Sequence, residues 1–254
     1  METVRGIILG VSRFSESSAV VSIFAEKHGR LTGLAKGAYR RGSPYAGALE
    51  LFAFCEFTVS IRKNREMQTL TGCTIIDYFG NIRADAGKIA AAETSIELIR
   101  TTLHEGEPLP NLFTLLRAFL ERLNKKCEYS NDWLIRMCWL FILHFLKVMG
   151  FGPEFGVCVR CGESELKGLT AVSPSYGGVL CSRCGVGGDS VRWIPSEVLE
   201  RIAKLYSSKA EQLANFPEIE KKLMDNLITD LLKVHFEKNF RLESLAMLYS
   251  SNGG

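Results

Sequence analysis

Residues 4–38 read VRGIILGVSRFSESSAVVSIFAEKHGRLTGLAKGA. Two aliphatic runs, Val4–Val11 and Ala19–Ala25, stand on either side of a serine-rich turn, and a shorter run, Leu31–Ala38, follows Gly29. Short runs of β-branched and aliphatic residues bounded by glycine and serine are typical of β-strands. This stretch therefore predicts three consecutive strands.

Two more runs of the same kind extend the pattern to residue 78. They are Leu49–Ile61 and Met67–Tyr78, with the polar segment Arg62–Arg65 between them. Five short strands separated by turns are typical of a small closed barrel. The break near Phe79 then marks the predicted end of a first domain.

The rest of the chain is mostly helical in pattern. Asp85 is a predicted N-cap, and we expect its helix to be ended by Pro108 and Pro110, while Asn131 or Asp132 caps a third helix that Gly150 ends. The predicted helices are 85–103, 112–124, 133–149, 196–206 opened by Pro195, and 217–236 opened by Pro217. The sequence thus predicts an α+β multidomain chain: a barrel domain at 1–80 and a helical domain in two parts, 81–150 and 191–254. A cysteine-rich module at 151–190 is inserted between the two parts.

Four cysteines form the sharpest motif in the sequence. Cys158 and Cys161 make one Cys-x-x-Cys pair, and Cys181 and Cys184 make a second pair after 19 intervening residues. Each knuckle can present two thiolates to one tetrahedral Zn²⁺, and four thiolates leave no open position for catalysis. We therefore predict a structural Zn²⁺ bound by these four cysteines.

Glycines and the remaining cysteines carry two smaller predictions. Gly162 and Gly185 follow the second cysteine of each pair, where a tight knuckle is expected to need positive φ. The other cysteines lie singly in apolar stretches and are predicted to be buried core residues. These are Cys55, Cys73, Cys127 and Cys138.

The positive charge of the chain is concentrated in its first third. The net charge is +3, and residues 1–80 hold ten of the 31 Lys and Arg but only seven of the 28 Asp and Glu. Basic loops of a small barrel, with an aromatic side chain such as Tyr39 or Phe14 on which a base can stack, are typical of nucleic-acid binding. The candidate DNA-binding residues are Arg30, Lys36, Tyr39, Arg40, Arg41, Arg62, Lys63 and Arg65.

Common catalytic and targeting signals are absent from the sequence. It contains no Walker loop, no His-Glu-x-x-His and no nucleophile elbow, which favours a binding protein over an enzyme. The N-terminus lacks a signal-peptide pattern, and Arg136, His144 and Lys147 interrupt the most apolar run, Trp133–Met149. These features predict a soluble, cytoplasmic protein. A zinc-ribbon regulator that reads duplex DNA by sequence and an unknown metalloenzyme remain alternatives.

Several segments together resemble the RecO family of bacterial recombination mediators. They are Gly6–Leu9, Ser15–Ser18, Glu26–Leu31, Ala35–Arg41, Gly150–Pro153 leading into Cys158, and Gly177–Cys181. The resemblance covers about residues 3–248. Ala25 and Phe52 depart from the family pattern at the level of packing.

The resemblance implies an amino-terminal oligonucleotide-binding (OB) barrel, a helical domain and an inserted four-cysteine zinc module. It also implies a protein that binds single- and double-stranded DNA and anneals complementary strands. With RecR, such a protein helps load RecA on strands coated by single-stranded-DNA-binding protein (SSB), and the acidic tail of SSB binds the helical domain. A cytoplasmic, nucleoid-associated location follows from the same resemblance.

Overall fold

The computed structural model describes residues 1–62, 65, 67–187, 191–209, 212–213, 218–236 and 241–250. The chain forms two compact units, Met1–Cys127 and Glu128–Gly254. The predicted division into a barrel, a two-part helical domain and an inserted cysteine-rich module stays a prediction. Each unit is described by itself below.

Five strands of the first unit close into a barrel with the order β1-β2-β3-β5-β4. Every neighbouring pair is antiparallel except β3 and β5, which run parallel. The predicted five-stranded closed barrel is therefore confirmed. The strands are β1 (Glu2–Arg13), β2 (Ala19–Ala25), β3 (Gly29–Ala35), β4 (Phe54–Ser60) and β5 (Met67–Asp77).

The start of β4 was predicted too early. The strand begins at Phe54, not near Leu49, because the preceding residues form a turn. The backbone N–H of Ala53 donates to the carbonyl of Glu50, and Phe52 has a φ of 69°. A left-handed residue cannot belong to a regular strand, so pairing starts only after it.

Alternate residues of the strands fill the barrel. Val21 and Ile23 of β2 point inward and are fully buried together with Phe57 and Leu70. Phe24 is also fully buried although it lies on the opposite face of β2. Its ring packs against Phe113, with centroids 5.9 Å apart. A helix therefore covers the outer face of the barrel here.

Three helices complete the first unit: α1 (Gly80–Arg83), α2 (Ala86–Thr102) and α3 (Pro110–Leu123). The Asp85 side chain accepts a hydrogen bond from the Lys88 N–H at 2.9 Å, which confirms the predicted cap of α2. The predicted role of the prolines is wrong. The chain leaves the helix at Leu103, which is extended, before Pro108 is reached, and Pro110 instead opens α3, where no N–H is needed.

In its described part, the second unit combines four helices with a three-stranded antiparallel sheet of order β7-β6-β8. Two of these strands form a hairpin that spans Leu169–Leu180. The elements are α4 (Asn131–Val148), β6 (Leu169–Ser173), β7 (Gly178–Leu180), β8 (Arg192–Pro195), α5 (Ser196–Ser207), α6 (Lys221–Phe236) and α7 (Glu243–Ser250). The predicted start of α6 at Pro217 and the tail 251–254 lie outside the described residues.

Helix α4 provides much of the core of the second unit, with twelve of its side chains buried. Its cap is Ser130, whose hydroxyl accepts from the Trp133 N–H at 3.2 Å, and not Asn131 or Asp132 as predicted. Gly150 ends the helix as expected, with a φ of 84°. Among the described residues, no helix is both long and apolar enough to cross a membrane.

Candidate nucleic-acid interface and metal centre

Two loops of the first unit meet beside the end of β3. The backbone N–H of Tyr39 donates to the carbonyl of Ser17 at 3.1 Å, which ties the loop after β3 to the β1–β2 loop. Lys36, Arg40 and Arg41 are all exposed on the joined loops. We call this region the basic loop surface and define it by Arg13, Phe14, Lys36, Tyr39, Arg40 and Arg41.

Aromatic rings are exposed among these charges. The side chains of Phe14 and Tyr39 are 60% and 52% exposed, which is unusual for residues of this size. The Arg13 guanidinium lies 5.5 Å from the centre of the Tyr39 ring and donates to the carbonyls of Ser15 and Glu16. Arg13 thus holds the β1–β2 loop while its charge stays near a ring on which a base could stack.

The predicted basic residues do not form one patch. Arg30 and Lys36 lie at opposite ends of β3, six residues or about 20 Å apart along an extended strand. Arg62 and Arg65 line a cavity of about 920 Å³ together with Arg30. The predicted DNA-binding residue Lys63 lies outside the described residues.

Arg30 also has a structural role that sequence reasoning missed. Its Nη1 donates to the backbone carbonyls of Arg100 and Leu103 at 2.7 and 2.9 Å, and Arg30 is only partly exposed. Both carbonyls belong to the last turn of α2 and its C-cap, where a cation is favourable. No local sequence signal indicates these partners, because they lie about 70 residues away.

The four cysteines of the two knuckles converge in the second unit. Their Sγ atoms all lie within 4.8 Å of one another, and the Sγ atoms of Cys161 and Cys181 are 3.8 Å apart. A tetrahedral Zn²⁺ with Zn–S bonds of about 2.3 Å requires sulfur atoms about 3.8 Å apart. The donor set and its spacing therefore fit a metal ion.

The thiols of this cluster do not share one protonation behaviour. Burial opposes ionisation of Cys158, but backbone hydrogen bonds from Cys181, Arg160 and Cys161 lower the pKa of its thiol to about 6. The pKa of the Cys184 thiol shifts in the opposite direction, because side-chain hydrogen bonds with Cys161 and Cys181 raise it to about 12. A cation among the four sulfur atoms would favour the thiolate at every one of them.

The two knuckles use the same hydrogen bond but different glycines. The N–H of Gly162 donates to the Cys158 carbonyl at 2.8 Å, and that of Gly185 donates to the Cys181 carbonyl at 2.9 Å. Gly162 has the predicted positive φ, 77°, whereas Gly185 does not. A Cβ at Gly185 would instead lie 2.6 Å from the Cβ of Ala171, so this position needs glycine for space.

The prediction for the single cysteines is right in two cases. Cys55 and Cys138 are fully buried, Cys73 is partly exposed, and Cys127 is exposed. Cys127 lies beyond the end of α3, next to the exposed Lys125 and Lys126, so no apolar layer covers it.

Comparison with known proteins accounts for nearly the whole chain. A family model described as "Recombination protein O N terminal" matches residues 1–79, and one described as "Recombination protein O C terminal" matches residues 83–244. The chain belongs to the RecO family. The barrel of the first unit is the OB fold of the RecO amino-terminal domain.

Individual relatives agree with this assignment. The chain is 31% identical over 193 residues to the DNA repair protein RecO of Geobacter metallireducens, covering 75% of this chain and 76% of that protein. It is 25% identical over 246 residues to the DNA repair protein RecO of Caldanaerobacter subterraneus subsp. tengcongensis, covering 96% of both. It is 27% identical over 247 residues to that of Pelobacter propionicus, covering 97% of this chain and 96% of the relative.

Proposed function

We propose that this protein is a recombination mediator that binds single- and double-stranded DNA and anneals complementary strands. The observation that carries the proposal is the basic loop surface, where Lys36, Arg40 and Arg41 are exposed around an exposed Tyr39. It stands on the OB barrel of a RecO-family chain, and the relatives named above are DNA repair proteins.

Charge neutralisation is the proposed basis of annealing. Lys36, Arg40 and Arg41 contact phosphates, which brings two strands together by releasing their counterions. Phosphate contacts at the basic loop surface carry no sequence information, so the bases of nucleotides held there stay free to pair. Further candidate contacts are Arg30, Arg62 and Arg65 at the far end of β3. Lys63 is also a candidate, and it lies outside the described residues. The protein's role is to hold strands, with no covalent step.

The proposed partners follow from membership of the family. They are RecR, the acidic tail of SSB bound by the helical domain, and RecA, which is loaded indirectly on SSB-coated single strands. A protein with these partners acts in the bacterial cytoplasm, at the nucleoid.

The metal proposed for the four-cysteine cluster is Zn²⁺ with a structural role. Cys158, Cys161, Cys181 and Cys184 supply four thiolates of suitable spacing, and a complete thiolate set leaves no position for a substrate. When bound, the ion would cross-link the loop before β6 to the turn after β7. Its contribution would be to the folding of this part of the second unit.

Strand annealing with purified protein tests the proposal. We expect faster annealing of complementary oligonucleotides without added nucleotide, with little dependence on sequence, and continued annealing when both strands are coated with SSB. A Lys36→Ala, Arg40→Ala variant should anneal strands more slowly. Its matched control is Lys204→Ala, Lys222→Ala, which removes two exposed charges from the second unit instead. Binding confined to one duplex sequence, without annealing, would instead indicate a sequence-specific regulator.

A further inference from the structure

The cavity at the start of β3 has a mixed lining that the basic loop surface lacks. Its volume of about 920 Å³ lies within the range of small-molecule sites. Arg62 and Arg65 contribute cations, Glu2 and Glu105 contribute carboxylates, and a further part of the lining is an apolar wall. That wall is formed by Leu31, Ile61 and Pro108.

The arginine rim of this cavity is held in place by one side chain. Gln68 accepts from the Arg62 N–H at 2.7 Å and donates to the carbonyls of Arg62 and Arg65 at 3.3 and 2.7 Å. All three bonds involve backbone atoms of the arginines, so both guanidinium groups are left to reach a ligand. Backbone positions of Arg62 and Arg65 that are held before binding lower the entropy cost of capturing an anion.

The two carboxylates differ in what they already bind. The Oε1 atom of Glu2 lies 2.7 Å from Nε2 of His28, and both residues line the cavity, so Glu2 already has a partner. Glu105 accepts only from the Thr32 hydroxyl among the hydrogen bonds of the described residues, and it is exposed. Because Thr32 is a neutral donor, this hydrogen bond does not pair the Glu105 carboxylate with a cation and leaves it further acceptor capacity.

An inorganic anion would use the arginines but not Glu105. A nucleotide matches the whole lining, because its phosphate is anionic, its base is flat and partly apolar, and an amino-bearing base offers donors to a carboxylate. Resting on the DNA-binding role proposed above, we propose that this cavity holds one nucleotide of a bound strand. Its phosphate lies at Arg62 and Arg65, and its base edge faces Glu105.

The outer face of β3 connects this cavity to the basic loop surface. Arg30, Thr32 and Leu34 lie on that face, whereas the strand residues between them are buried. Lys36 follows the last residue of β3. The separation of about 20 Å corresponds to about six stacked nucleotides at 3.4 Å each, within the site size of an OB fold. One strand can therefore contact both surfaces.

Oligo-dC and oligo-dT strands of about twelve nucleotides separate the outcomes, since both are pyrimidines but only cytosine carries an amino group. At slightly alkaline pH, fluorescence anisotropy with the full chain should show that oligo-dC binds about fivefold more tightly than oligo-dT. This ratio is near the lower limit of the discrimination that one base contact provides. Glu105→Ala should bring the ratio to about one, since only the carboxylate is removed. Arg62→Ala, Arg65→Ala should weaken the binding of both oligonucleotides and keep the Gln68 hydrogen bonds, because these bonds use backbone atoms of the two arginines.

Three results would overturn the assignment. The first is equal binding of the two strands by the wild-type chain, and the second is a dC preference that survives Glu105→Ala. The third is that an acidic peptide displaces DNA from the wild type but not from the Arg62→Ala, Arg65→Ala variant. That result would indicate that the cavity binds a protein partner. If neither oligonucleotide binds the wild type, the DNA-binding proposal itself fails, which is a different outcome.

Discussion

Arg30 Nη1 donates a 2.9 Å hydrogen bond to the carbonyl oxygen of Leu103, the C-cap of α2. The same nitrogen donates to the Arg100 carbonyl at 2.7 Å. One guanidinium therefore joins the first residues of β3 to the end of a helix, within the first unit. A residue predicted as a phosphate contact thus also stabilises the fold, and the two roles can be separated by experiment.

Arg30→Ala is expected to lower the stability of the protein by about 1.5–3 kcal/mol, the range for hydrogen bonds to charged groups. The loss arises because two carbonyls of the α2 terminus lose a charged donor. Chemical unfolding of the full chain measures it. Arg30→Lys should recover part of the loss, since an ammonium can still donate. Arg41→Ala is the control at an exposed position, with an expected change within about 0.5 kcal/mol. Equal midpoints for Arg30→Ala and Arg41→Ala would contradict the structural role.

The two knuckle glycines should respond differently to asparagine. Gly162 needs a positive φ and has no heavy atom within 4 Å of an added Cβ, so Gly162→Asn should be tolerated better than Gly162→Val, because asparagine adopts this conformation readily. Gly185 needs space against Ala171, so any side chain there should cost about 1–3 kcal/mol through overpacking. Thermal unfolding of Gly162→Asn, Gly162→Val, Gly185→Asn and Gly185→Val measures these differences in stability. Equal tolerance of asparagine at both positions would contradict it.

The sequence predicted what is encoded in local patterns. Strand β2 has the predicted bounds, Ala19–Ala25, because polar residues flank its apolar run on both sides, and the four cysteines were found by spacing alone. The cap of α4 was missed because Ser130 and its two successors are all good capping residues, and only the geometry of the first turn selects one. The contacts of Arg30 could not be predicted, since they depend on how α2 packs on the barrel.

The short helix α7 shows a second limit. Its eight residues, Glu243–Ser250, were not predicted because a segment of two turns carries too few apolar positions to display a helical period. Its formation depends on packing, with Trp139 Nε1 donating to the Tyr249 hydroxyl at 3.0 Å. Burial also raises the pKa of Tyr249 well above its usual range. Such elements become visible only when their tertiary partners are known.

Removal of one metal ligand should affect folding more than DNA binding. The wild-type protein purified without chelators is expected to contain about one Zn²⁺ per chain. Cys161→Ser should lose the metal and lower the thermal midpoint, because metal binding is linked to folding of the knuckles. Its affinity for DNA per folded molecule should remain unchanged. Absence of any metal from the native protein would falsify the zinc assignment.

Binding of the SSB tail should be independent of the basic loop surface. We expect an acidic peptide that ends in Phe to bind the wild type and the Lys36→Ala, Arg40→Ala variant with the same affinity, because the tail is proposed to bind the helical domain. Isothermal titration calorimetry with the full chain measures both. A scrambled peptide with the Phe moved inward is the control for charge alone. Loss of peptide binding in the double variant would move the tail site to the barrel.

The salt dependence of DNA binding identifies the phosphate contacts most directly. Each lost contact flattens the plot of log K against log salt by about 0.7 on single strands and about 0.9 on duplex. Lys36→Ala, Arg40→Ala should therefore reduce the slope by about 1.4 on single strands and about 1.8 on duplex, and slow annealing in parallel.

The control for this measurement must remove two charges that have no assigned role. Lys221 is unsuitable because its Nζ lies 3.0 Å from Asp132, so its removal also breaks an ion pair. Lys204 and Lys222 are exposed in the second unit and make the matched pair. If charge anywhere on the surface were sufficient, Lys204→Ala, Lys222→Ala would flatten the slope by the same amount. An unchanged slope in the Lys36, Arg40 variant, or an equal change in the control, would remove the basic loop surface from the DNA-binding role.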